Sequence, residues 1–222
     1  MIKVRSGKSE KDRISFSTKT NTVTAIRKKN GDIFLDFKNQ NESFGQALLV
    51  LFGIFGTLSL IKAFVLVPLI KNHIIQTAWY LVPTFFYLLL TIYSIITVRK
   101  SGGKELLRNH GAEHMVLSAY NKLKRVPTVE EARHFSRINR ACGATIFSAF
   151  ITAQLIGFIV YLLTGFVISE LILFLIPLFF QTIFPFNFLG KVAQFFTTSK
   201  PEKQNIELAI LALLSLERRE SI

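Results

Sequence analysis

The 222 residues carry 27 Lys and Arg against 14 Asp and Glu, a formal net charge of +13, and half of them are hydrophobic, with 22 Phe and a mean hydropathy of +0.40. That hydropathy argues against an ordinary soluble one- or two-domain chain. A single cysteine, Cys142, excludes an internal disulfide framework and a Cys-rich zinc module.

Residues 1–43 are polar and charged, without the apolar run of a cleavable signal peptide, and form an N-terminal segment expected to be cytoplasmic. Within it, residues 22–29 and 32–37 flank Asn30-Gly31, the dipeptide suited to a two-residue turn with positive φ at both positions. A small β-hairpin is expected there.

Four apolar stretches follow, at residues 44–61, 74–98, 144–169 and 171–188. The second and third contain no Lys, Arg, Asp or Glu, and each is long enough to cross roughly 30 Å of hydrocarbon as a helix. Basic residues cluster between the apolar stretches, 10 in 1–43 and 10 in 99–143. The positive-inside rule then places both termini and the 99–143 loop in the cytoplasm. The expected fold is an all-α polytopic protein of the bacterial cell membrane. Its about four transmembrane helices form pairs at 44–98 and 144–190, over a cytoplasmic helical layer and the hairpin. Residues 171–188, broken by Pro177 and Pro185, have a re-entrant alternative. Membrane lipids and other membrane proteins are the expected partners. The basic clusters lack the aromatic interleaving of nucleic-acid binders, so nucleic acid is not expected.

The 99–143 loop holds the chemistry. Leu106, Leu107, Met115, Leu117, Tyr120 and Leu123 recur at helical spacing across 103–125, and His110-Gly111-Ala112-Glu113-His114 lies among them. On a helix, His110, Glu113 and His114 share a face, so two imidazoles one turn apart can reach a single ion. His-x-x-Glu-His is the order of the inverted zinc-protease motif, in which the histidines bind zinc and the glutamate activates water. Cys142, a soft ligand for zinc or another divalent transition metal, is the candidate third ligand. His134, in a Glu-x-x-His spacing with Glu131, is weaker, because Thr128 and Glu131 already read as a capping box. The plain alternative has both histidines hydrogen-bonded to loop carbonyls or lipid headgroups and Glu113 paired with an arginine. Past the last apolar stretch, residues 191–222 contain an amphipathic helix over 205–217, expected to lie on the bilayer or on the protein's own cytoplasmic layer.

Arg108-Asn109-His110-Gly111-Ala112-Glu113-His114, with Thr128-Val129-Glu130, Ser136-Arg137, Cys142-Gly143, residues 23–33 and residues 197–201, resembles the YqhQ-like family of bacterial membrane proteins, a family of unknown function. The resemblance spans nearly the whole chain and supplies a fold expectation without a reaction. Where that family carries a histidine, this chain has Asn139.

Two functions are compatible with these residues. One is a metal site of His110, His114, Glu113 and Cys142 that hydrolyses a peptide or lipid-linked substrate, with Glu113 taking a proton from metal-bound water. The other is a non-enzymatic accessory or scaffold for membrane-protein assembly, with a structural metal or a hydrogen-bonded cluster. A solute transporter has little support, because no charged residue lies inside the second or third stretch.

Overall fold

The computed structural model describes residues 2–39, 103–139 and 187–221, together with Cys142 and scattered positions between 89 and 100 and between 152 and 164. Chain contacts divide the protein into two units, one of Met1–Glu42, Ile95–Asn139 and Gln194–Ile222, the other of Ser43–Ser94 and Arg140–Ala193.

The first unit begins with an antiparallel meander. Strands β1 (Ser6–Ser9), β2 (Arg13–Ser17), β3 (Asn21–Arg27) and β4 (Ile33–Asn39) lie side by side in chain order. Ile14 faces Ala25 and Phe16 faces Val23 across the β2–β3 pair. Alternation puts these four side chains on one face, where all are fully buried. The opposite face pairs hydroxyls, Ser15 with Thr24 and Ser17 with Thr22, both at 2.8 Å.

Two long helices cover the apolar face. Helix α1 (Gly103–Leu123) and the final helix, Lys203–Glu220, place Ala112, Val116, Tyr120, Ile206, Ala209, Leu213 and Leu216 in one cluster with the sheet residues. The final helix is one-sided, with Lys203 and Glu207 exposed, whereas α1 is buried all round from Gly111 to Leu117 and exposes Lys104 and Lys122 only in its end turns. The short helix α2 (Val129–Arg133) starts at Thr128. The expected capping box is present there, with Glu131 N–H donating to Thr128 Oγ1 and Thr128 N–H donating to Glu131 Oε2 at 2.8 Å. Helix α3 (Phe188–Thr197) precedes the final helix, which is therefore α4.

In the second unit, described helical positions include Tyr93 and Leu163, both exposed, and Cys142 sits half-buried at a bend.

Several expectations are corrected. The expected hairpin is half of a four-stranded sheet, so the fold is not all-α. Among the described residues no helix is long and apolar enough to cross a membrane, which overturns the all-α polytopic fold, the transmembrane helices and the multi-pass location with both termini cytoplasmic. Helix α1 and the final helix instead direct apolar side chains at a sheet. The stretches at 44–61, 74–98, 144–169 and 171–188 lie mostly outside the described residues. The β3–β4 turn also differs. It runs Lys28–Gly31, closed by Gly31 N–H to Lys28 C=O at 3.0 Å, with Gly31 at φ +92° and no positive φ at Asn30. Gly31 alone supplies the left-handed residue.

Candidate metal centre

Every residue of the His110–His114 run has a distinct physical task on α1. Ala112 is fully buried in the core. Gly111 lies under the segment that leaves α3, where Ser199 N–H donates to the Leu107 carbonyl at 2.9 Å and a β-carbon on Gly111 would stand 2.3 Å from the Ser199 carbonyl oxygen. Only glycine permits that approach.

The histidines on either side are held by backbone carbonyls from two separate segments. His110 Nδ1 is 3.1 Å from the carbonyl of Thr197, the last residue of α3. His114 Nδ1 is 2.6 Å from the carbonyl of Arg137, in the segment after α2. A carbonyl only accepts, so each Nδ1 carries the proton. Burial holds the His110 imidazole below its ordinary value, opposed by the Thr197 bond. Burial first and His110 second push His114 down to about 4, against the Arg137 bond. Both rings are therefore neutral at pH 7 with their lone pairs on Nε2. Their centroids are 4.4 Å apart at an interplanar angle of 62°, and their ligand nitrogens lie within 4.8 Å of one another.

The Arg137 carbonyl is itself positioned. Gln194, buried on α3, accepts the backbone N–H of Asn139 through Oε1 at 2.8 Å. The Arg137 guanidinium sits 5.2 Å over the Phe195 ring. Asn139, the position at which the resembling family carries histidine, thus contributes its backbone.

Glu113 turns to the sheet. Its carboxylate accepts the Ser9 hydroxyl and occupies the space above Gly7, where a β-carbon would meet Glu113 Oε1 at 2.2 Å. Burial raises this carboxyl to about 7, opposed by the Ser9 hydrogen bond. Among the described residues no arginine pairs with it, as the plain alternative had expected. Of the other candidates, His134 is the exposed C-cap of α2, and Cys142 belongs to the second unit. The residues that sequence reasoning missed, Thr197, Arg137 and Gln194, act through backbone atoms or on backbone, so their side-chain types carry no signal. Gly111 stood inside the motif and marked a close backbone approach.

A family model described as protein of unknown function (DUF1385) matches residues 12–186 of the chain. No curated protein and no solved structure matches it.

Proposed function

We propose a transition-metal site for this chain, which belongs to the DUF1385 family of proteins of unknown function. The observation that carries the reading is the pair of neutral imidazoles one turn apart, each with Nδ1–H anchored on a backbone carbonyl. Metal-binding histidines have this outer arrangement, because the anchored N–H fixes the tautomer and turns Nε2 to the ion. In a tetrahedral site with bonds of about 2.0–2.1 Å, two nitrogens stand roughly 3.4 Å apart. One ligand nitrogen of each ring lies within 4.8 Å of the other's. Imidazole nitrogen suits zinc and the neighbouring divalent transition metals.

The ion's first role in this reading is structural. His110 and His114 link α1 to the end of α3 and to the 134–139 segment, so an ion on them fastens three pieces of chain. The Ser9 and Gly7 contacts of Glu113 support this non-enzymatic reading over metal-assisted hydrolysis, which needs that carboxylate beside a metal-bound water. Were hydrolysis to occur, a bound ion would supply Lewis acidity, and Glu113 would have to leave Ser9 to serve as the base.

Elemental analysis of purified full-length protein tests the reading. One transition-metal ion per chain is expected, lost in His110→Ala and in His114→Ala. Chelation should lower the thermal transition of the wild type and leave that of His114→Ala unchanged. Glu113→Gln should keep the metal. Metal content that is negligible, or equal in wild type and both histidine variants, would overturn the site.

A further inference from the structure

On the first unit, away from the imidazoles, a groove of about 760 Å³ opens between the β3 end of the sheet and the early turns of α1 and α4. That volume falls in the range of small-molecule sites. Ile26, half-buried, and Leu208, fully buried, give it an apolar wall, and Lys11, Arg27, Lys28 and Lys29 surround the opening.

The charge balance of the groove is decided by what its acids already touch. Asp12 is engaged by the Arg13 guanidinium at 3.1 Å. Glu105 accepts Asn205 Nδ2 at 2.6 Å and pairs with Arg27 at 3.4 Å and Arg108 at 3.7 Å. Arg27 is held in place, since it also donates to the Gln204 carbonyl. Lys28 lies 5.6 Å over the Phe34 ring, and Lys11 and Lys29 form no ion pair among the described residues. Three exposed ammonium groups thus border a concavity whose carboxylates are neutralised by other cations. Such flexible point charges suit a group carrying several negative charges on adjacent oxygens, which is a phosphate or diphosphate rather than one carboxylate.

We propose that this groove binds a small phosphorylated molecule, its phosphates held by Lys11, Lys28 and Lys29 and its apolar body against Ile26 and Leu208. The concave shape favours a compact ligand over an extended polyanion, which is met by a flat or tracking basic surface.

Isothermal titration of the full-length protein with ADP, inorganic pyrophosphate and phosphatidylglycerol vesicles tests it. ADP is expected to bind, more tightly than pyrophosphate because of the apolar wall, and pyrophosphate to compete with it. Lys11→Ala and Lys29→Ala should each weaken ADP by about tenfold or more, the loss of one charge-assisted contact, with unchanged thermal transitions because both side chains are exposed. His110→Ala should bind ADP as the wild type does, so failure of the metal site leaves this result standing. Absence of ADP binding at millimolar concentration, equal binding to the lysine variants, pyrophosphate binding as tight as ADP, or binding to vesicles alone would each overturn the proposal.

Discussion

Gly111 and Ser199 meet backbone to backbone, with the Ser199 carbonyl oxygen only 2.3 Å from where a Gly111 β-carbon would sit. Within an exposed helix, Gly→Ala stabilises by about 1 kcal/mol. Here the new carbon would strike backbone, which has no rotamer to yield. Gly111→Ala should therefore lower the thermal transition, and because the displaced segment carries the Thr197 carbonyl, it should also weaken metal binding. Calorimetry of the variant checks the first effect; a raised transition would show that the crossing is not tight.

Gly7 and Glu113 form a second steric pair, this time between backbone and side chain. Gly7→Ala places its β-carbon on the Glu113 carboxyl and should destabilise the wild type. In a Glu113→Ala background that space is open, so the same substitution should cost markedly less. Denaturant unfolding of the four proteins in a double-mutant cycle measures the coupling. Additive effects would mean the carboxyl is not over Gly7.

Tyr120 ties the start of the chain to α4. Its hydroxyl donates to Glu217 Oε1 at 2.8 Å and accepts the Ile2 N–H at 2.9 Å. Burial, with help from Glu217, pushes its pKa up to about 12 from an ordinary 10. A folded-state value above the unfolded one means this contribution is complete below pH 10 and disappears as pH rises from 10 toward 12. Tyr120→Phe should cost about 1–2 kcal/mol at neutral pH, and the gap from wild type should narrow above pH 10. Urea midpoints of both proteins across that range check it, and a gap that widens above pH 10 would contradict it.

The elements with strong local signals were legible in the sequence. Helical spacing marks α1 at 103–125 against the observed Gly103–Leu123, and the stripe from Ile206 to Leu216 marks α4. Of the two settings considered for that stripe, the structure has the protein's own layer, because Ile206, Ala209 and Leu213 pack on Ile14, Phe16, Val23 and Ala25. Strand β1, Ser-Gly-Lys-Ser, has no apolar alternation, and its place comes from pairing with β2 and from Gly7 beneath Glu113. β2 alternates Ile14 and Phe16 but is only five residues long, too short to stand out in a Lys-rich segment. The hairpin was visible, yet its turn was assigned one residue too tight, since the loop closes at Lys28–Gly31 and needs one positive φ rather than two. In the candidate site the two imidazoles were legible from their spacing. The carbonyls that orient them were not, because Thr197 lies 87 residues from His110 and acts through its backbone. Helical phase and the His-x-x-Glu-His order both point Glu113 to an ion, whereas the contact with Ser9 that turns it to the sheet depends on tertiary packing.

The proposed site requires His110 and His114 to be neutral, to carry their protons on Nδ1 and to offer Nε2 to one ion. Nitrogen-15 NMR of the two imidazoles, recorded on metal-free protein at pH 7 and during addition of zinc, tests it most directly. Two Nδ1–H tautomers are expected without zinc, with a joint shift of both Nε2 resonances that ends at one equivalent while the Nδ1 resonances stay protonated. Either ring found as the Nε2–H tautomer, or Nε2 resonances unmoved by zinc, would contradict it.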